Sequence, residues 1–132
     1  MKISFIERIP NSTDLYNLYE YEHWNDFLQL SKDQLYTAMK NSWYILSVYH
    51  GDKLIGTGRV VSDGMIIGYI TGLIVHPDYR NRGIGRDIMQ KLIAKCNQSY
   101  LTIQLLTAND CISFYQQLGF QSFANGLIYV ER

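Results

Sequence analysis

Ile74-Val75-His76-Pro77-Asp78-Tyr79-Arg80-Asn81-Arg82-Gly83-Ile84-Gly85-Arg86 opens as the end of an apolar run, passes a proline and an aromatic, and turns through two glycines. Beyond it Ile84, Ile88, Leu92 and Cys96 recur at every fourth position, and Met89 and Ile93 widen the stripe. That spacing predicts a helix over 83–97 with one apolar face. The first N–H groups of such a helix have no partner inside it and carry partial positive charge, so they can receive an anion. Gly83 and Gly85 lack a Cβ and let a bulky phosphate approach the main chain. Arg80 and Arg82 add forked donors suited to phosphate oxygens. A strand, a basic glycine turn and a helix together read as a pyrophosphate cradle.

Two common cradles do not fit. A P-loop needs Lys and then Ser or Thr after its last glycine, whereas Arg86-Asp87 follow Gly85. A dinucleotide fingerprint needs a third glycine three residues after the second, and Ile88 stands there. The pattern that the residues do fill is (Arg or Gln)-x-x-Gly-x-(Gly or Ala), with Arg80, Gly83 and Gly85.

Bulk composition narrows the setting. The 132 residues suffice for one domain with a core, and 47% are hydrophobic, which is globular rather than disordered. Twelve Lys+Arg balance twelve Asp+Glu, so no long-range field draws the chain to nucleic acid or an anionic membrane, and neither is expected as a partner. No apolar run reaches membrane-spanning length. Charges in the first eight residues argue against a signal peptide. Cys96 and Cys111 lack metal or redox spacing, so a cytoplasmic location with free thiols is expected.

Taken in order, residues 2–7 alternate weakly as a strand, and Asn11-Ser12-Thr13-Asp14 supplies caps for a helix through Leu15, Leu18 and Tyr19. Ser31 caps a second helix through Leu35 and Met39. Between them, Tyr21 to Phe27 is aromatic and polar. It reads either as packing between two short helices or as one wall of an acceptor pocket. Strands follow over 43–49, 54–61 and 65–75, with turns at His50-Lys53 and Asp63-Gly64. After the helix, 100–106 reads as a strand joined by a right-handed crossover and therefore parallel. A helix from 108 to 118 ends at Gly119, and 123–130 reads as a hairpin about Asn125-Gly126. The expected whole is a single α/β domain over 1–132, with a mixed sheet of about seven strands and about four helices.

The turn and this element order resemble the GNAT superfamily of N-acetyltransferases, and Phe114-Tyr115-Gln116-Gln117-Leu118-Gly119-Phe120 is similar to a second motif of that family. The resemblance implies acetyl-CoA as co-substrate and no metal. Its pantetheine arm would pair with the backbone of Leu73, Ile74 and Val75, and its pyrophosphate would meet the turn from Arg80 and Asn81 through Arg82, Gly83, Ile84, Gly85 and Arg86. Tyr115 would stand near the sulfur. Asn109 lies one position from where relatives hold an asparagine against the cofactor arm, and it can equally cap its helix.

What the resemblance implies chemically is direct attack of a primary amine on the thioester. The Val75 N–H would stabilise the oxyanion and Tyr115 would protonate the thiolate. Relatives often carry an acidic residue on the strand before the turn, where this chain has Gly72. Glu20, Glu22, His23 and His76 are the remaining candidates for a base. Glu22, His23, Trp24 and Phe27 are the candidate acceptor-binding residues, for a small-molecule or peptide amine. Cys111 reads as a packing residue without a base to make it a nucleophile. The C-terminal hairpin would offer edge strands, so a homodimer is compatible with the sequence. Two other readings remain: a non-catalytic acyl-CoA sensor or structural subunit, and a small nucleotide-binding domain.

Overall fold

The computed structural model describes residues 2–131. One five-stranded sheet runs in sequence order: β1 (Ile3–Ile6), β2 (Tyr44–His50), β3 (Lys53–Ser62), β4 (Ile67–Val75) and β5 (Thr102–Gln104). The first three junctions are antiparallel and the β4–β5 junction is parallel. The helices are α1 (Ser12–Glu20), α2 (Asn25–Leu28), α3 (Lys32–Lys40), α4 (Ile84–Gln98) and α5 (Ile112–Gln116).

Local chemistry sets the helix starts. The Asn11 side chain accepts from the Asp14 N–H at 2.9 Å, which caps α1. Ser31 and Gln34 satisfy one another's orphan donors in a capping box at α3. Each sheet face then buries its own core. Leu15, Leu18, Tyr19, Leu35 and Met39 pack with Leu54 and Ile74 on the α1–α3 face. Ile84, Ile88, Met89, Leu92 and Cys96 of α4 pack against Leu46, Val48, Val60 and Ile70 on the other. Gly58 sets how closely α4 approaches, because a Cβ there would lie 2.8 Å from Ile88 Cγ2.

The fold departs from the sequence reading in several places. β4 starts at Ile67, not Met65, because Asp63 Oδ1 accepts from the N–H groups of Met65, Ile66 and Ile67 and holds them in a turn. The helix expected over 108–118 divides into a 3-10 turn (Asn109–Cys111) and α5. The C-terminal hairpin does not form, which leaves five strands rather than about seven. β5 has three residues of regular ladder, a short edge for another strand to join, and a hairpin without a sheet beside it is marginal in water. Leu127, Ile128 and Tyr129 are accordingly 95%, 87% and 89% exposed. Among the described residues no helix is long and apolar enough to cross a membrane.

Candidate active site

The site begins where β4 loses its partner. β5 pairs with β4 only at Ile67, Gly68 and Tyr69, so the β5-facing edge is open from Ile70 to Val75. A ladder alternates the direction of successive N–H and C=O groups. The His76 N–H donates to the Ile55 carbonyl at 2.7 Å, towards β3, so the Val75 N–H points the other way, into the gap. The Val75 carbonyl points there too, and Arg80 Nε donates to it at 3.0 Å. Gly72, at φ +68°, and Leu73 bulge opposite Gly58, because Arg59 pairs with Thr71 and Thr57 with Ile74. A bulge re-aims the strand at the point where it parts from β5.

The turn after β4 is built on an imidazole and a phenol. His76 Nδ1 accepts from the Asp78 N–H at 3.1 Å, which makes Nδ1 the bare nitrogen of a neutral ring and starts the 3-10 turn Pro77–Tyr79. Burial lowers the pKa of His76, aided by Lys53 and Arg80 and opposed by Asp78. Its ring meets Tyr21 and Tyr79 edge-on at 4.7 and 5.8 Å. Tyr79 in turn bonds His50 Nδ1 through its hydroxyl at 2.6 Å, and Lys53 and Arg82 each lie 5.5 Å from its ring centre. Asn81 takes φ +63° and Gly83 φ +79°, after which α4 starts with no side-chain cap. The N–H groups of Ile84, Gly85 and Arg86 therefore find no acceptor among the described residues. A side chain at Gly83 would meet nothing within 4 Å, so this glycine is required by its left-handed backbone and not by crowding.

Across the gap stands the C-terminal wall. A cavity of about 430 Å³ is lined by Ile103, Leu105, Asn109, Tyr115 and Phe120, among others. Tyr115 is half-buried, with Phe114 and Phe120 edge-on at 4.9 and 6.0 Å. Burial pushes its phenol pKa up, with a contribution from Cys111, so it is a donor at neutral pH. The Phe120 N–H closes α5 by donating to the Tyr115 carbonyl at 3.1 Å, which fixes the base of that side chain.

The residues expected in the acceptor wall separate. Glu22 reaches the gap, with Oε1 3.3 Å from Arg80 Nη2, so Arg80 braces the strand end and the α1–α2 loop as well as carrying charge. The Trp24 ring packs edge-on against Tyr16 and Tyr19 at 6.2 and 5.5 Å, with Nε1 buried and unpartnered. His23 is turned outward, pairing with Asp26 at 3.5 Å, and Phe27 is 93% exposed. Neither is brought to the gap. Cys111 is exposed beside Asp110 and does not pack as expected. Sequence reading missed Tyr19 and Arg59, which converge on Gly72 from α1 and β3. Tyr19, Arg59 and Gly72 come from three separate elements, and no local spacing could bring them together.

The arrangement has known counterparts. A model of the acetyltransferase (GNAT) family matches residues 9–120. An uncharacterized N-acetyltransferase, ycf52, of Pyropia yezoensis is 33% identical over 96% of this chain and 77% of its own length. The chloroplastic GCN5-related N-acetyltransferase 2 of Arabidopsis thaliana is 32% identical over 70% of this chain and 39% of its own. Among solved structures, the GNAT family protein SP0256 of Streptococcus pneumoniae superposes with a TM-score of 0.83 at 26% identity, covering 99% of both chains. The probable acetyltransferase SA2161 of Staphylococcus aureus shares the fold at a TM-score of 0.86 and 20% identity, over 99% of this chain and 100% of that one. The chain, with its mixed sheet, parted β4 and uncapped α4, belongs to the GNAT family of acetyltransferases.

Proposed function

We propose that the protein transfers an acetyl group from acetyl-CoA to a primary amine of a small molecule or peptide, by direct attack in a ternary complex. One observation carries the reading: the edge of β4 that β5 leaves unpaired is joined by a single turn to the bare amides of Ile84, Gly85 and Arg86. Leu73, Ile74 and Val75 would bind the pantetheine arm, and the turn from Arg80 and Asn81 to Arg86 the diphosphate. Asn109 borders the same cavity as Tyr115 and would touch the arm near the thioester.

The acceptor nitrogen, once deprotonated, attacks the thioester carbonyl. The Val75 N–H donates to the oxyanion that forms. As the C–S bond breaks, Tyr115 gives its proton to the thiolate and regains one from the displaced ammonium proton through water. The sum is one amide, one thiol and one proton released to solvent. His76 is engaged through Nδ1 in the turn and is not assigned the base. Glu22 stands nearest the gap, and a water held by it is the assigned proton acceptor. A homodimer belongs to the same reading, with the exposed Leu127–Tyr129 surface as its contact, and sedimentation velocity tests it.

Thiol release from acetyl-CoA in the presence of a panel of amines tests the transfer. Amine-dependent release supports it. Tight CoA binding with no release from any amine would support the acyl-CoA sensor instead.

A further inference from the structure

We propose that the amine acceptor also carries a carboxylate, and that Arg59 holds it. This rests on the acetyltransferase reading, which says nothing about the acceptor beyond its amine. Arg59 lies on β3, on the α1–α3 face, in register with Thr71 of β4. Its guanidinium is partly buried, and Nη1 donates to Ser42 Oγ at 3.1 Å. Nε is buried with no aligned acceptor. Among the described residues no carboxylate lies within 4.0 Å of it. A partly buried guanidinium without a counter-charge is costly, and a ligand anion would remove that cost.

Its surroundings are rich in donors. Tyr19 and Arg59 both converge on Gly72: a Cβ there would lie 2.5 Å from the Tyr19 hydroxyl and 3.6 Å from Arg59 Nε. The Tyr19 hydroxyl donates to the sulfur of Met39 at 3.6 Å, a weak acceptor, and its oxygen faces the Arg59 guanidinium. Burial raises the Tyr19 pKa against the opposing charge of Arg59, so the phenol keeps its proton. The ring of Trp24 packs on that of Tyr19 with Nε1 unpartnered, and Thr57 Oγ1, on the same face of β3, is also buried without a partner. A single guanidinium matches the single charge and planar fork of a carboxylate.

Arg59 and the Val75 N–H stand on different strands, so acceptors that differ in the length between amine and carboxylate measure the distance between the two groups.

The test compares 4-aminobutyrate and 6-aminohexanoate with butylamine and hexylamine, and with glycine, as acceptors. The expected result is a kcat/KM about ten- to a hundredfold higher for the amino acids than for the matching alkylamines, carried by KM, as for hydrogen bonds to a charged group. In Arg59→Gln that ratio should fall to about one, and Arg59→Lys should restore part of it. Equal kcat/KM for amine and amino acid in the wild type would overturn the proposal. A second readout does not depend on turnover. In a Trp43→Phe background, hexanoate should saturably change the fluorescence of Trp24, and Arg59→Gln should abolish the change. Hexanoate without effect would reject the anion site even if amines are acetylated. Hexanoate binding without turnover of any amine would keep the site and reject the transferase reading.

Discussion

The two flanks of β4 are built on different principles. On the β5 side the strand offers main-chain groups: the N–H of Val75, then the bare amides of Ile84 to Arg86. On the α1–α3 side it offers a gap at Gly72, filled by the side chains of Tyr19 and Arg59. Backbone donors bind whatever carries the right shape of phosphate and amide, and they need only glycine and a particular φ. Side-chain donors can be changed singly. A cofactor common to a family suits the first flank, and an acceptor that differs between members suits the second.

The largest effect expected is on the backbone flank. Gly83→Val with Gly85→Val puts a β-branched residue at φ +79° and screens the first amides of α4. Strain of this kind and the loss of charge-assisted bonds should together raise the acetyl-CoA Kd at least ~100-fold by calorimetry. Gly85→Ala alone sharpens the point. Its Cβ would meet Val75 Cγ2 at 3.7 Å and Phe114 Cζ at 3.8 Å, ordinary contacts, so the fold should persist while the cradle narrows. Unchanged cofactor affinity in the double variant would remove the backbone account of this flank.

Next comes the group across the gap. Tyr115→Phe keeps the edge-on packing with Phe114 and Phe120 and deletes one donor. We expect kcat to fall roughly ten- to a few-hundred-fold, the usual range for one acid group, with acetyl-CoA affinity nearly unchanged. A variant that turns over normally would mean that the thiolate leaves unassisted.

The same contrast explains what could be read from the chain. The turn from Val75 to Arg86 was legible because its determinants are adjacent: Pro77, the two glycines, then a stripe of period four. The parallel crossover to β5 was legible from strand–helix–strand order. Arg59 was not, since its neighbours Tyr19, Ser42 and Gly72 come from three other segments of the chain. Tyr21 to Phe27 read equally as packing or as a pocket wall, because the sequence does not show that the Trp24 ring lies edge-on to Tyr16 and Tyr19 with its Nε1 left unpartnered. The 123–130 hairpin was expected from short apolar runs about Asn125-Gly126, but such local signals cannot lengthen the edge of β5.

Arg80 joins the two flanks, and its removal should have a smaller effect. Its Nε holds the Val75 carbonyl and its Nη2 meets Glu22, with both Arg80 and Glu22 about half exposed. Arg80→Gln should lower kcat/KM for both substrates by about three- to tenfold, as expected for one charged hydrogen bond in a solvated setting. Arg80→Lys should not rescue it, since an ammonium lacks the fork needed to reach both partners. A loss confined to acetyl-CoA would assign Arg80 to phosphate alone.

The smallest effect concerns His76, the hinge between the flanks. Its Nδ1 must be unprotonated to accept from the Asp78 N–H, and burial, Lys53 and Arg80 hold its pKa below 6.5 while Asp78 pulls it up. A group with a lowered folded pKa takes its proton first in the unfolded chain. Its contribution to stability is therefore complete above the unfolded value near 6.5 and declines as pH falls through the folded one. Between pH 7 and pH 5 the wild-type Tm should drop partly for this reason. His76→Asn retains a side-chain acceptor at the turn and cannot titrate. It also forfeits the ring contacts with Tyr21 and Tyr79, which lowers Tm at every pH alike. The Tm of the variant should thus start lower and fall less steeply between pH 7 and pH 5. Parallel Tm curves for the two proteins would mean that the imidazole is held by its neighbours' rings and not by the proton it lacks.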